Sequence, residues 1–375
     1  MALRIVASRP DPAIITLPWS TPLEDWGEPY VVPLPRGLSR HVVRIVRLGE
    51  RTYAVKETVE DIAFREYRLL RDLQRLGLPA VLPQGVVTGR VGKDGEPLPT
   101  ALLTEHLRFS LPYRSLFSHG LSADNLPSLI DALVVLLVRL HLAGFFWGDV
   151  SLSNVLFRRS AGGFAAYLVD AETGEFKPEL SVQLRQYDVT LATENVFGEL
   201  LDLEASDAVG YELEAHDVIE LLEERYHALW GELTAEEEFG ADEMWRIEQR
   251  IERLNDLGFD VDELDIVTDF DGDKIRIQPK VVELGHHQRE LQALTGLHVE
   301  DLQARRLLND IASFTAHFDL GREDRNLVAN RWLLSEQRGS AVDTFDAAAD
   351  YIENVLKAKP DEAVAAPGGE AEGSP

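Results

Sequence analysis

The sequence predicts an α+β chain with two lobes, a small β-rich N-lobe and a helical C-lobe, followed by a mostly helical C-terminal domain that contains a β-hairpin. Three observations predict this order. β-like runs come first, at residues 42–48 and 52–57. A strongly apolar helix at 124–142 and a strand pair within 154–170 follow. From about residue 205, the composition shifts to charged amphipathic helices.

Composition limits the classes of partner and compartment. The 375 residues suffice for two domains, or for one two-lobed enzyme with an appendage, and 45% of them are hydrophobic. A formal charge of −28 repels nucleic acid, so no nucleic-acid partner is expected. The absence of cysteine excludes disulfides and thiolate zinc sites. The N-terminus has no signal-peptide pattern and the longest apolar run, 132–138, cannot span a bilayer, so a cytoplasmic protein without a transmembrane segment is expected.

The N-lobe is predicted over residues 36–107. A proline-rich segment, 1–35, precedes it and is expected to be an extended lead-in that wraps a neighbouring element. The strands at 42–48 and 52–57 form a hairpin through Gly49-Glu50-Arg51. The remaining elements of the lobe are a helix at 60–76, which Gly77 and Pro79 end, and a strand at 101–107.

The C-lobe is predicted over residues 108–205. Its apolar helix, 124–142, has leucines at helical spacing and ends at Gly144. A short loop follows, and then two strands, 154–158 and 165–170, turned by Gly162-Gly163. This arrangement of strands first and a buried helix with a hairpin later is the order of lobes in a protein-kinase-like fold.

The acidic helical domain is predicted over residues 206–357. Thr234-Ala-Glu-Glu237 reads as a capping box that begins a helix. Asp271-Gly272 predicts the turn of a hairpin between 264–270 and 274–282. Further helices are predicted at three ranges: 285–295, 299–317 and 340–357. The tail, 358–375, has the composition of a disordered segment.

The loop after the apolar helix carries the strongest chemical signal. Asp149 and Asn154 lie five residues apart in Trp-Gly-Asp-Val-Ser-Leu-Ser-Asn. This is the spacing of a phosphotransferase catalytic loop, in which the aspartate orients the acceptor hydroxyl and the asparagine holds a metal ion on the nucleotide phosphates. The spacing alone is common by chance, so the other parts of such a site must be present elsewhere.

Those other parts occur in the required order. Lys56, at the end of Tyr-Ala-Val-Lys, stands where a lysine would reach the nucleotide phosphates. Glu66 shares the apolar face of the helix at 60–76, where a carboxylate is costly unless a cation such as Lys56 meets it. Asp170 ends the strand after the loop and, with Asn154, is the predicted magnesium-binding pair. Structural alternatives stay open for both residues. Glu66 would then lie at the edge of the apolar helix face, and Asp170 would form a turn or cap a helix.

With these residues in place, residues 36–200 resemble the protein-kinase-like superfamily, and within it the bacterial lipopolysaccharide (Kdo/WaaP) kinase-like branch. The resemblance implies ATP and Mg²⁺ as cofactors, a catalytic set, a nucleotide-binding set and a metal-binding set. The catalytic residues are Asp149, Lys56 and Glu66; those that bind the nucleotide are Gly37, Ser39, Lys56, Glu105 and Leu107; those that bind metal are Asn154 and Asp170. Asp188 is similar to the later aspartate that braces the catalytic loop.

The second half resembles a C-terminal domain of unknown function, family 4032, that accompanies such lobes. The resemblance rests on Ile-Gln-Pro-Lys-Val-Val-Glu at 277–283, Leu-Thr-Gly-Leu at 294–297 and Gln-Ala-Arg-Arg-Leu-Leu-Asn-Asp at 303–310. It implies no activity. A protein partner that docks through this domain is a hypothesis, and the acceptor substrate is not readable from the sequence.

Several departures keep alternatives open. The segment Gly37-Leu-Ser39-Arg-His has one glycine where a glycine-rich phosphate loop has three. Trp147 stands where the usual loop has histidine, and Ala-Glu172 follows Asp170 in place of Phe-Gly, so Glu172 is a candidate third metal carboxylate. The sequence therefore predicts a phosphotransferase that modifies a sugar, lipid-linked or protein hydroxyl. A nucleotide-binding pseudokinase that presents its C-terminal domain, and nucleotidyl transfer, remain alternatives.

Overall fold

A computed structural model of the chain describes residues 2–8, 11–32, 41–118, 125–160, 163–205, 215–256, 259–268, 274–295 and 298–299, with a few single positions beyond. The chain divides into two compact units, Met1–Leu284 and Gly285–Pro375. The predicted boundary at 205 falls inside the first unit. No helix among the described residues has the length and apolar character needed to cross a membrane.

The N-terminal lobe is a five-stranded antiparallel sheet with one long helix. Strands β1 (Arg4–Ala7), β2 (Val43–Leu48), β3 (Arg51–Thr58), β4 (Pro83–Thr88) and β5 (Thr100–Glu105) form it in the order β1-β4-β5-β3-β2. Helix α1 (Glu60–Arg75) turns Ala63, Tyr67 and Leu70 inward. The β2–β3 hairpin, α1 and β5 therefore lie where the sequence predicts them, and the fold is mixed α+β with a β-rich N-terminal lobe, as predicted.

The proline-rich segment differs from the predicted extended lead-in. Its first strand, β1, pairs with β4 and so belongs to the sheet. Two short 3-10 turns follow, Pro12–Thr16 and Leu23–Asp25. The Asp11 side chain accepts a hydrogen bond from the Ala13 amide at 2.9 Å, and Pro12 sets the first residue of the turn, which is why the chain coils there. Trp19 and Trp26 are buried against the sheet.

The second lobe is built around a buried helix. Its elements in chain order are β6 (Ser110–Pro112), α2 (Tyr113–Ser118), α3 (Leu126–Leu142), β7 (Phe145–Phe146), β8 (Val155–Ser160), β9 (Gly163–Leu168), β10 (Glu175–Phe176) and α4 (Val182–Ala205). Helix α3 is apolar on nearly all sides and lies in the main core cluster. Strands β6, β8 and β9 form one sheet. Strand β7, which directly precedes the Asp149 loop in the sequence, pairs with β10.

The rest of the first unit carries α5 (Ala215–Thr234), β11 (Glu237–Gly240), α6 (Trp245–Asp256), β12 (Phe259–Thr268) and β13 (Lys274–Leu284). The predicted hairpin is observed as β12 and β13, and β11 adds a third strand in the order β11-β13-β12. Helix α5 buries Val218, Leu222 and Tyr226 in the core cluster that contains α3. This packing explains why the first compact unit extends past residue 205.

The capping box predicted at Thr234 is wrong. Thr234 is the last residue of α5, and its hydroxyl donates to the Trp230 carbonyl at 2.7 Å. Glu237 lies in β11, where its carboxylate contacts Arg246 at 2.6 Å. The four-residue pattern alone does not tell a helix start from a helix end. Here Leu233 is buried in the last turn of α5, and the helix ends at Thr234.

The second unit contains α7 (His286–Thr295), where a helix was predicted over 285–295. Leu291 packs with Ala304 and Leu307. The Asp271-Gly272 turn, the tail 358–375 and most of the helices predicted at 299–317 and 340–357 lie outside the described residues.

Candidate active site

A cleft between the β2–β3 hairpin and the β8–β9 sheet contains most of the predicted site. Val43, Ile45 and Ala54 line its upper side, and Leu156 and Val169 line its lower side. The last residue of β5 and the two residues after it line one end of the cleft, and these are Glu105, His106 and Leu107. Polar groups stand at the other end, and these are Lys56, Glu66, Ser153, Asn154 and Asp170. The cleft thus has an apolar slot and one charged end.

The charged end is organised around Lys56. Its Nζ donates to Glu66 Oε2 at 3.0 Å, to Asp170 Oδ2 at 2.7 Å and to Glu172 Oε2 at 3.0 Å. An ammonium group has three N–H donors, so all of them are used. The strand β3 supplies Lys56, α1 supplies Glu66, and the turn after β9 supplies both other carboxylates. Lys56 and Glu66 therefore meet as the sequence predicts.

Burial makes this cluster electrostatically unusual. Glu66 is only 1% exposed, and it shares one cation with two other carboxylates. Burial, followed by the nearby Asp170 carboxylate, raises the pKa of Glu66 to about 8. Burial alone would lower the pKa of Lys56, but the carboxylates of Glu66 and Asp170 outweigh it and raise that pKa. Three carboxylates and one ammonium leave a net negative cluster, and a proton on Glu66 reduces its charge.

The oxygen atoms fit a divalent cation. Carboxylate oxygens of Glu66, Asp170 and Glu172 lie within 4.8 Å of one another. The Asn154 side-chain amide donates to the Asp149 carbonyl at 2.9 Å and to the Asp149 carboxylate at 3.1 Å, which leaves its oxygen for another partner. Mg²⁺ prefers oxygen ligands and is commonly held by one or two carboxylates together with phosphate oxygens. Asp170, Glu172 and Asn154 would hold it here.

Asp149 lies in a loop whose backbone is held from behind. Asp188 is 0% exposed and accepts hydrogen bonds from the Trp147 amide at 2.7 Å and the Gly148 amide at 2.8 Å. Gly148 has a φ of 77°, and a Cβ there would lie 3.0 Å from the Phe146 ring, so glycine is required. The resemblance implied that Asp188 braces this loop, and the geometry shows those bonds.

Trp147 ties the loop to the predicted metal residue. Its indole N–H donates to the Asp170 carbonyl at 2.9 Å, and its own carbonyl accepts from the Thr173 hydroxyl at 2.8 Å. The side chain is fully buried. Trp147, itself a residue of the loop, therefore contacts both Asp170 and the segment that follows it.

Sequence reasoning missed four polar residues around the site. Glu199 accepts hydrogen bonds from the Leu152 and Ser153 amides at 2.7 and 2.8 Å. Asn195 donates to the Val150 carbonyl at 3.0 Å, and His41 Nε2 lies 3.0 Å from Glu172 Oε2. His141, on α3, contacts Asp188 at 3.1 Å. They lie 45 to 131 residues away from these partners in the sequence, a separation that carries no periodic signal, so only the fold reveals them.

The predicted nucleotide-binding residues divide into two groups. Lys56, Glu105 and Leu107 line the cleft. Gly37 and Ser39 lie outside the described residues. The structure therefore brings together Asp149, Asn154, Lys56, Glu66 and Asp170, whereas the phosphate loop and the individual roles of all these residues stay predictions.

Comparison with known proteins bears on the family resemblance. No curated protein matches the chain. One solved structure, "WaaP in complex with acyl carrier protein", is 17% identical, is covered over 99% of its own length and 60% of this chain, and has a TM-score of 0.35. The predicted resemblance is confirmed at the level of families: residues 47–188 match the lipopolysaccharide kinase (Kdo/WaaP) family, and residues 228–334 match a domain of unknown function, DUF4032.

Proposed function

We propose that the chain is a phosphotransferase that uses ATP and Mg²⁺ to phosphorylate a hydroxyl group on a sugar, a lipid-linked molecule or a protein. The observation that carries this proposal is the Lys56 cluster, in which one lysine and three carboxylates stand at the end of an apolar cleft beside Asp149 and Asn154. The family match over residues 47–188 supports it.

Each residue has a distinct task in this proposal. The apolar walls of the cleft hold the base, and Glu105 and Leu107 lie beside it. Lys56 binds phosphate oxygens and Glu66 keeps the ammonium group in place. Bound Mg²⁺ would neutralise phosphate charge, with Asn154, Asp170 and Glu172 as its protein ligands. Asp149 orients the acceptor hydroxyl and accepts its proton.

Nucleotide binding must rearrange the cluster. All three N–H donors of Lys56 are directed at carboxylates, so a phosphate oxygen has to replace one of them. Glu66 is fixed on α1, whereas Asp170 and Glu172 are more exposed and lie in a turn. We infer that the two turn carboxylates release Lys56 and take a metal ion instead.

The proposal is tested by transfer of labelled phosphate from γ-labelled ATP to components of a cell extract, with wild type and Asp149→Ala compared. Wild type should label an acceptor in the presence of Mg²⁺, and Asp149→Ala should lower the rate by about a thousandfold with nucleotide affinity unchanged. Glu175→Ala, an exposed glutamate in the neighbouring β10, is the matched control. Equal labelling by wild type and Asp149→Ala contradicts the proposal.

Because all three N–H donors of Lys56 already contact carboxylates, a second candidate function is a pseudokinase. In that case the cluster would stabilise the lobe, and the protein would act as a scaffold for a partner of its C-terminal domain. The two functions differ in the same assay. A scaffold gives no Mg²⁺-dependent labelling, and its cellular phenotype survives Asp149→Ala. ATP labelled at the α-phosphate distinguishes nucleotidyl transfer, because only that reaction leaves AMP on the acceptor.

A further inference from the structure

A chain of buried hydrogen bonds runs from helix α5 to the loop that carries Asp149. Arg185 Nη1 donates to the Tyr226 hydroxyl at 3.2 Å, and that hydroxyl lies 2.6 Å from His141 Nδ1. His141 Nε2 lies 3.1 Å from Asp188 Oδ2, and Asp188 in turn accepts from the Trp147 and Gly148 amides. All its side chains are buried.

Simple hydrogen-bond accounting fixes every proton in this chain. An ionised Asp188 only accepts, so His141 must carry its proton on Nε2. A neutral imidazole then has a bare Nδ1, which accepts from the Tyr226 O–H group. The Tyr226 oxygen in turn accepts from Arg185. Each link has one donor and one acceptor, and no other neutral tautomer of His141 satisfies both of its contacts.

The titration behaviour of the two central groups is consistent with this assignment. Burial lowers the pKa of His141, although Asp188 acts in the opposite direction, so the ring is neutral near pH 7. Burial raises the pKa of Tyr226 to about 12, so the hydroxyl keeps its proton.

The ring contacts show that α5 is held firmly against this chain. Tyr226 packs edge-on against His141 with ring centroids 5.6 Å apart, and it stacks on Trp230 at 6.2 Å. The Arg185 guanidinium lies 4.1 Å from the centre of the Trp230 ring. Tyr226 stands between the two matched families, after residue 188 and before residue 228.

We propose that Tyr226 is a positioning residue, whose hydroxyl fixes the tautomer of His141 so that Asp188 holds the backbone of the Asp149 loop in one arrangement. Helix α5, which lies outside the kinase-family match, is thereby part of the machinery of the site. The consequence for phosphoryl transfer rests on the proposed function, but the effect on the loop does not.

The first test is the tautomer of His141 in the full chain. Long-range ¹H–¹⁵N correlation spectra of protein with ¹⁵N-labelled histidines should show a protonated Nε2 and an unprotonated Nδ1 at pH 7.5, with the signal assigned through a His141→Gln variant. A proton on Nδ1 overturns the proposal. This measurement uses wild type for its result and does not depend on how a Tyr226 variant folds.

The second test is hydrogen exchange in Tyr226→Phe, which keeps the ring and removes the hydroxyl. The Trp147 and Gly148 amides should exchange about tenfold faster, the effect of one lost buried hydrogen bond, while the Val55 and Lys56 amides of β3 keep their protection. Tyr167→Phe removes a hydroxyl on β9 that is not part of this series of hydrogen bonds. It should change the exchange rates of neither the two loop amides nor the two β3 amides. Unchanged loop amides, or equal acceleration in β3, overturn the proposal.

The third test is ATP consumption in the presence of Mg²⁺. Tyr226→Phe should lower kcat about tenfold with KM for ATP unchanged, and Tyr167→Phe should match wild type. A wild-type kcat in Tyr226→Phe overturns the positioning role. If wild type itself consumes no ATP, the proposed function fails, and the tautomer and exchange results still decide the inference.

Discussion

The loop from Trp147 to Asn154 meets polar groups on two sides, and the two sides are built differently. On the cleft side, three carboxylates share the three donors of Lys56, and two of the three belong to a half-buried turn. On the inner side, His141 and Asp188 have fully buried side chains and each contact has one donor and one acceptor. On the cleft side, a ligand can replace some of the contacts of Lys56. On the inner side, the hydrogen bonds of His141 and Asp188 have no alternative partner, so they are either intact or lost.

This difference has a physical basis in burial and charge. A buried charged group that loses its partner is costly, so the inner side tolerates no exchange. The cleft side carries excess negative charge, which a proton on Glu66 reduces and which a divalent cation would neutralise. Hydrogen bonds that stay intact on the inner side, together with ionic contacts that a ligand can replace on the cleft side, suit a loop that must keep its geometry when ligands bind and dissociate.

The largest expected effect comes from breaking the inner side at Asp188. Asp188→Ala leaves the buried His141 Nε2 and the Trp147 and Gly148 amides without an acceptor. The free energy of unfolding, measured in urea, should fall by about 3–5 kcal/mol. Asp202→Ala, on the same helix but with a 70% exposed side chain, should change it by less than about 1 kcal/mol. Equal effects of the two variants would contradict the comparison.

The next effect is a pH dependence from Glu66 on the cleft side. Its folded pKa of about 8 lies above the ordinary 4.5, so the folded chain binds the extra proton and stability falls as pH rises between those values. From pH 6 to 9 this loss should amount to about 2–3 kcal/mol, at about 1.4 kcal/mol per pH unit up to the folded pKa. Glu66→Gln should remove that slope, and Glu60→Gln, in the exposed first turn of α1, should retain it. A flat wild-type profile would disprove this assignment.

A smaller pH effect of opposite sign is expected from His141. Its pKa in the folded chain is below the ordinary 6.5, so the unfolded chain binds the proton first and stability falls as pH decreases below 6.5. The contribution is up to about 1 kcal/mol per pH unit. His141→Gln should lack this component between pH 6.5 and 5, whereas His216→Gln, an exposed histidine on α5, should keep it. Identical acid limbs in wild type and His141→Gln would rule it out.

The smallest expected effect concerns Glu172, which competes with phosphate for Lys56. In the absence of Mg²⁺, Glu172→Gln should bind ADP a few-fold more tightly, because one negative charge next to the phosphates is removed, an effect of about 0.5–1 kcal/mol. The gain should shrink when Mg²⁺ is added, since the variant also lacks a metal ligand. Glu175→Gln serves as the control in calorimetry. Weaker binding of metal-free ADP by Glu172→Gln would refute the competition.

The residues that meet on the cleft side could be singled out from the sequence because each lies in a local pattern, whereas their roles stay predictions. Lys56 lies in a run with strand-like composition, Glu66 interrupts an apolar helix face, and Asp170 follows a hairpin, so each has its own pattern. The inner side has no such pattern. His141 and Tyr226 lie 85 residues apart, and on sequence alone each is a single polar residue within a helical pattern.

The errors in predicting the fold also arise where long-range contacts, not local patterns, decide the structure. Strand β11, Glu-Glu-Phe-Gly, has one apolar residue, too few to show a period of two, and its pairing with β13 decides its structure. Thr234 to Glu237 satisfies the capping-box pattern although a helix ends there. Strand β1 has only four residues and forms because β4 offers an edge.

The central claim is that the cleft side exchanges its internal cation contacts for a magnesium nucleotide. Calorimetric titration of wild type with ADP at pH 7, with and without Mg²⁺ and in two buffers of different ionisation enthalpy, tests it most directly. We predict binding that strengthens with Mg²⁺ and releases up to one proton from Glu66 as the cation arrives. Binding that is independent of Mg²⁺, with no proton released, would contradict the account.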